Sequence, residues 1–231
     1  MSLKGIIFDL DGTLVDSVQD MHWSLNLALS DVAFPVVSET QVRDWVGNGI
    51  DKLVMRGLSC NFEVNPDLSE VLIRQATEQF KHHYHTLVGE YAQLYQDVES
   101  VLRELSAIPK AIVTNKNRAF TLQLLQKLNI DTYFDVIVCG DDGNKKPDPE
   151  PLHAACKELG VTVQEAIMIG DSKSDILAAQ NAGMPVIALT YGYNQGFDLK
   201  QLNPEYLCDR FLDIIPILNN SDLKQIKEQD D

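Results

Sequence analysis

Between a short apolar run at Gly5-Ile6-Ile7-Phe8 and the next at Lys110-Ala111-Ile112-Val113-Thr114 lies a long stretch with no convincing strand; after residue 97, apolar runs and helical faces alternate. This asymmetry is the strongest constraint on the fold. The later runs, Asp135-Val136-Ile137-Val138, Ala166-Ile167-Met168-Ile169 and Val186-Ile187-Ala188-Leu189, are short, β-branched and almost wholly apolar. That is the pattern of strands covered on both faces rather than half-exposed ones. Helical faces lie between them: Val98, Val101, Leu102 and Leu105; Leu122, Leu125 and Leu128; Leu152, Ala155, Cys156 and Leu159 closed by Gly160; and residues 174–182. Such alternation predicts an α/β, Rossmann-like parallel-sheet core of three layers, αβα.

Residues 16–91 instead carry amphipathic helical patterns at 17–29, 38–45, 48–58 and 67–87, with Ser38 a natural N-cap. The first strand is thus separated from its partners by an inserted all-helical cap. Residues 1–15 and 92–231 are expected to form the core and residues 16–91 the cap domain. A polar tail at 219–231 reads as frayed chain or a terminal helix.

At 231 residues and 45% hydrophobic, the chain can bury a sizeable core. Its 19 basic and 34 acidic residues leave a net charge of −15, which repels nucleic acids and anionic membranes and favours metal cations. An anionic substrate must then be captured by local groups. Cys60, Cys139, Cys156 and Cys208 are scattered, without a Cys-x-x-Cys pair, and read as reduced core thiols. No secretory signal pattern and no apolar run of bilayer-spanning length is present, so a cytoplasmic location is the expectation.

In open parallel sheets ligands bind beyond the carboxyl ends of the strands. The first strand delivers Asp9 and Asp11, the second Thr114 and Asn115, the third a loop with Lys145-Lys146-Pro147, and the fourth Gly170-Asp171-Ser172-Lys173-Ser174-Asp175. Each is weak alone, since Asp-Gly is a common turn and Asp171 could simply cap a helix. Together they read as phosphoryl-transfer chemistry. Carboxylates at the end of a buried strand are costly to desolvate unless paired, hydrogen-bonded or bound to metal.

The segment from Asp9 to Ser17, with Thr114, Lys146 and Gly170-Asp171-Ser172-x-x-Asp175, resembles the four motifs of the haloacid dehalogenase superfamily. Dehalogenases lack a carboxylate at the position of Asp11, whereas phosphatases and phosphomutases have one. Beyond these motifs, Trp45-Val46-Gly47-Asn48-Gly49, Val113-Thr114-Asn115-Lys116, Gly140-Asp141-Asp142, Asn144-Lys145-Lys146-Pro147 and Leu189-Thr190-Tyr191-Gly192-Tyr193-Asn194 are similar to the bacterial phosphoglycolate phosphatases. Tyr95-Gln96-Asp97-Val98 departs from that group, which commonly has an aromatic-Pro-Gly-Val turn there.

The resemblance implies Asp9 as nucleophile and Asp11 as general acid and base. Mg²⁺ is expected on the Asp9 carboxylate, the Asp11 main-chain carbonyl and Asp171, with Asp175 a further ligand through water or a partner of Lys146. Thr114, the Asn115 N–H and Lys146 would hold the phosphate oxygens; Lys146 is preferred to Lys145 because it directly precedes Pro147. Gly47, Asn48 and Gly49 are candidate cap residues for substrate specificity, although locally they read as a plain turn, and Arg43 is a candidate carboxylate partner. His82, His83 and His85 are read as surface residues rather than a metal site, and Trp23 and Trp45 as cap core.

The expected activity is hydrolysis of a small phosphomonoester, 2-phosphoglycolate foremost, by a monomer or homodimer. Alternatives are a sugar phosphomutase, a broad-specificity sugar or nucleotide phosphatase, and a non-enzymatic phospho-accepting receiver or binding module. Receivers take phosphate on a mid-chain aspartate and lack a helical insertion, which counts against them.

Overall fold

The structure is a computed structural model and describes residues 3–219. The polar tail beyond Asn219 lies outside the described residues. The chain begins with β1 (Gly5–Phe8) and β2 (Val15–Asp16), then runs through α1 (Val18–Asp31), α2 (Glu39–Trp45), α3 (Ile50–Ser59) and α4 (Glu70–Leu87) before β3 (Gln93–Leu94). There follow α5 (Val98–Glu104), β4 (Lys110–Val113), α6 (Arg118–Lys127), β5 (Val136–Val138), α7 (Glu150–Leu159) and β6 (Ala166–Gly170). α8 (Lys173–Ala182), β7 (Val186–Leu189), β8 (Tyr206–Cys208) and α9 (Ile214–Asn219) complete it.

Six strands form one parallel sheet in the order β5-β4-β1-β6-β7-β8. The chain builds outward from β1 on one side and then returns to build outward on the other. This is the doubly wound arrangement, in which the strand ends beside the reversal point form a crevice. Successive residues face opposite layers: Ile6, Phe8, Ile112, Ile167 and Ile169 pack with α5, α6 and α9, whereas Ile7, Ala111, Val113 and Met168 pack with α7 and α8. Double coverage explains the uniformly apolar strands.

The four helices α1–α4 bury Leu25, Leu29, Val42, Trp45, Val54, Ala76 and Phe80 against one another. Ser38 caps α2 through a reciprocal capping box with Gln41. Asp20, buried on α1, accepts from the Gly89 N–H at 2.6 Å and the Tyr91 N–H at 2.8 Å and so ties α1 to the chain leaving α4. Trp23, expected in the cap core, is 47% exposed: it lies between the buried positions Met21, Ser24 and Leu25 but off their stripe. Cys60 is exposed at the left-handed end of α3, while the other three cysteines are buried free thiols. His82 and His85 are exposed, and His83 bonds Asp31 of α1 at 2.7 Å. Among the described residues, no helix is long and apolar enough to cross a membrane.

Two short strands connect the helices to the sheet: β2 pairs antiparallel with β3, Val15 opposite Leu94 and Asp16 opposite Gln93. Just beyond, Asp97 adopts φ +67° as the residue before α5, with no side-chain cap bond. A non-glycine residue in this conformation is strained by about 1–2 kcal/mol, against which glycine costs about 0.5–1 kcal/mol in chain entropy. Asp97→Gly is therefore expected to stabilise the fold, raising the melting temperature by about 1–4 °C in a thermal scan. An unchanged or lower value would show that the aspartate side chain compensates its backbone.

Candidate active site

All four predicted strand-end segments converge at the carboxyl edge of the sheet. The Asp9 N–H still bonds to the Ile169 carbonyl at 2.9 Å, so β1 delivers this side chain before the chain turns away. The turn passes through Gly12 at φ +90°, where a Cβ would lie 2.2 Å from Asp171 Oδ2. A Cβ on Gly192 would meet the same oxygen at 2.2 Å. Both glycines let backbone close around a carboxylate.

Asp171, directly after β6, accepts from Thr13 Oγ1 at 2.5 Å and from the Tyr193 N–H at 2.5 Å. It is not the helix cap: Ser172 caps α8, in a reciprocal box with Asp175. Asp175 is buried in the first turn, with Oδ2 accepting from Ser172 Oγ at 2.6 Å and Oδ1 accepting from Lys146 Nζ at 2.6 Å. Lys146 also donates to the Val113 carbonyl at 2.7 Å and stands 2.8 Å from Asp9 Oδ1. That last contact has ion-pair distance without hydrogen-bond alignment, leaving Asp9 Oδ1 buried with no aligned donor.

One oxygen from each of Asp9, Asp171 and Asp175 falls within 4.8 Å of the others. Asp9 and Asp175 share one lysine, while Asp171 is held by the Thr13 hydroxyl and the Tyr193 N–H. Burial, with the Asp175 charge adding and Lys146 opposing, pushes the Asp9 carboxyl up to about 7. Burial and the charges of Asp175 and Asp9 hold Asp171 well above the usual carboxylate range. Desolvation draws Lys146 down, but Asp175 and Asp9 outweigh it, so it stays charged. An all-oxygen, net-negative cluster with an unaligned carboxylate oxygen fits a hard divalent cation.

Asp11 turns away from this cluster. Its carboxylate accepts from Ser17 Oγ at 2.5 Å and from Lys116 Nζ at 3.0 and 3.1 Å. Lys116, unassigned in the sequence although it stands in the Thr114-Asn115-Lys116 phrase, also donates to the Tyr84 hydroxyl of α4 at 2.5 Å. Thr114 Oγ1 accepts from the Lys116 N–H at 3.3 Å. The Asn115 side chain accepts from the Lys146 N–H at 2.9 Å and donates to the Lys146 and Gly47 carbonyls at 3.1 and 3.0 Å. It thus staples the lysine loop and the helical insertion to one strand end.

Asp9, Asp11, Thr114, Asn115 and Lys116 share a cavity of about 50 Å³ with Gly47, Gly49, Tyr84 and apolar residues of α1, α3 and α4. Asn48 does not line it; its Oδ1 accepts from Arg56 at 3.0 Å and Gln195 at 3.3 Å. Lys145 is half-buried, its ammonium near Gly49 rather than among the acids. Arg43 is likewise elsewhere, paired with Asp16 at 3.2 Å and Glu39 at 3.5 Å over the Tyr193 ring. A larger groove of about 480 Å³ runs beside β5 and α7, but it holds none of the strand-end acids. Chemistry rather than volume identifies the site.

The sequence profile of the haloacid dehalogenase-like hydrolases matches residues 6–189. A phosphoglycolate phosphatase of Yersinia pestis is 39% identical over 226 residues, spanning 96% of each chain. One from Vibrio cholerae serotype O1 is 42% identical over 211 residues, 90% of this chain and 93% of its own. Among solved structures, a predicted phosphoglycolate phosphatase from Haemophilus somnus 129pt superposes with a TM-score of 0.86 at 35% identity, covering 94% of this chain and 98% of that one.

Proposed function

The chain belongs to the haloacid dehalogenase-like hydrolase family and is a phosphoric monoester hydrolase, and on that premise we propose that it converts 2-phosphoglycolate to glycolate and phosphate through an aspartyl-phosphate on Asp9. The observation that carries the chemistry is the buried Asp9 carboxylate at a strand end, 2.8 Å from Lys146 and grouped with Asp171 and Asp175. Identity of about 40% to phosphoglycolate phosphatases along nearly the whole chain supports the choice of substrate.

Asp9 attacks phosphorus as the ester P–O bond breaks, dividing a difficult hydrolysis into two displacements. Asp11 gives its proton to the departing alkoxide and then takes one from the water that attacks the aspartyl-phosphate, freeing Asp9 and releasing phosphate. Lys146, the Thr114 hydroxyl and the Asn115 N–H neutralise the equatorial oxygens, whose charge spreads in the transition state. Asp9, Asp171 and the Asp11 carbonyl would hold Mg²⁺, with Asp175 bound through water or serving Lys146. When bound, the cation supplies the positive charge that lets acids and a phosphate dianion share one site.

Residues 16–91 act as the cap over a core of residues 1–15 and 92–231. Gly47 and Gly49 bring the cap backbone to the cavity, and its apolar side chains exclude water. A small-molecule substrate, a cytoplasmic setting and a monomer or homodimer fit the reading. A panel of phosphomonoesters scored by kcat/KM for released phosphate tests it. 2-Phosphoglycolate is expected to exceed sugar phosphates and nucleotides by roughly 10²-fold or more. A flat panel would favour a broad-specificity phosphatase, and transfer between sugar hydroxyls with little free phosphate would favour a mutase.

A further inference from the structure

We propose that Lys116 and Tyr84 form the subsite for a carboxylate on the substrate, so that the enzyme selects small phosphomonoesters carrying a second anionic group close to the phosphoryl oxygen. The proposal rests on the phosphoglycolate phosphatase reading and names the residues that would impose it. Lys116 lines the same small cavity as Asp9 and Thr114, and its side chain is only 4% exposed. Lys146, the buried cation at the acid cluster, already serves Asp9, Asp175 and the Val113 carbonyl. Arg43, the carboxylate partner expected from sequence, lies outside the cavity beside Asp16 and Glu39.

Donor arithmetic places the open hydrogen on Tyr84. Lys116 carries three N–H groups and spends them on Asp11 and the Tyr84 oxygen. Tyr84 accepts that bond, and its own hydroxyl hydrogen goes to no acceptor among the described residues. Burial, with nearby acids adding to it and Lys116 opposing, keeps the phenol protonated and hence a donor. The unused hydroxyl hydrogen of Tyr84 is open to an oxyanion, and the adjacent Lys116 ammonium reaches the same anion by giving up one Asp11 oxygen.

The rest of the enclosure sharpens the choice. Val46, Ile50, Leu53 and Phe80 form an apolar wall, against which an unpaired carboxylate would be expensive and a neutral hydroxymethyl group much less so. Lys116 and Tyr84 line the same small cavity as Asp9 and Thr114, so a second anion held there lies close to the phosphate.

The test compares 2-phosphoglycolate with 2-hydroxyethyl phosphate, which replaces the carboxylate by a neutral group on the same short chain. In Lys116→Met the ratio of kcat/KM values for the two esters is expected to fall by about 10²-fold relative to wild type, because a buried charge pair is lost. In Tyr84→Phe, which removes one hydroxyl and is the milder change should the first variant fail to fold, the ratio is expected to fall about 5-fold. A purely structural role would depress both esters alike. If wild type prefers 2-phosphoglycolate but a folded variant keeps the wild-type ratio, the subsite is wrong while the substrate reading stands. If wild type shows no preference between the two esters, the substrate reading fails and the subsite with it.

Discussion

Asp9→Asn is expected to reduce phosphate release by at least about 10⁴-fold while the protein stays folded. The amide keeps the shape of the carboxylate at the end of β1 but cannot attack phosphorus, and Lys146, Asp171 and Asp175 are untouched. Stability supplies an independent readout. The Asp9 carboxyl is pushed from 3.8 up to about 7, chiefly by burial, so the folded protein holds this proton more tightly than the unfolded chain does. The favourable contribution is complete below about pH 4 and is lost as pH rises towards 7; above that, ionised Asp9 weighs against the fold. At pH 8 without divalent cation, Asp9→Asn is therefore expected to melt at the same temperature as wild type or higher, the lost Lys146 contact limiting the gain. Mg²⁺ should then raise the melting temperature of wild type more than that of the variant. Undiminished turnover in Asp9→Asn would refute the nucleophile, and a lower melting temperature at pH 8 would refute the electrostatic account.

Lys146→Met should have the second largest effect, because it removes the ammonium that Asp9 and Asp175 share at 2.8 and 2.6 Å. Breaking a buried pair by deleting one partner costs about 3–5 kcal/mol. For a chain of this size that corresponds to a melting temperature lower by about 6–20 °C near pH 7. The deficit should shrink as pH falls below 7, since the orphaned Asp9 carboxyl then takes up a proton. Activity should drop by at least about 10³-fold with the loss of charge facing the phosphate. Lys145→Met provides the contrast. Its ammonium lies outside the acid cluster, so its melting temperature should stay within a few degrees of wild type. The reverse order of effects would transfer the role to Lys145.

Much of the architecture is legible because its signals are local. A run such as Ile167-Met168-Ile169 declares a strand covered on both faces, and Gly160 and Gly183 close α7 and α8 in the left-handed conformation. The two-residue strands β2 and β3 are too short to carry a period, and β8 is a three-residue edge strand with partly exposed side chains. Trp23 misleads because bulk and hydrophobicity suggest burial, whereas the helical stripe excludes its position.

Sequence alone determined which residues stand at the strand ends, since hydrophobic pattern locates the strands and chain order then assigns Asp9, Thr114, Lys146 and Asp171 to their tips. Tertiary structure decided how their charges are matched. Asn115 spends its side chain as a staple, Arg43 is taken by Asp16, and Lys116 meets Tyr84 from a helix elsewhere in the chain. Buried charges pair by distance through a medium of low polarity. Such pairings join residues remote in sequence, and no local pattern encodes them.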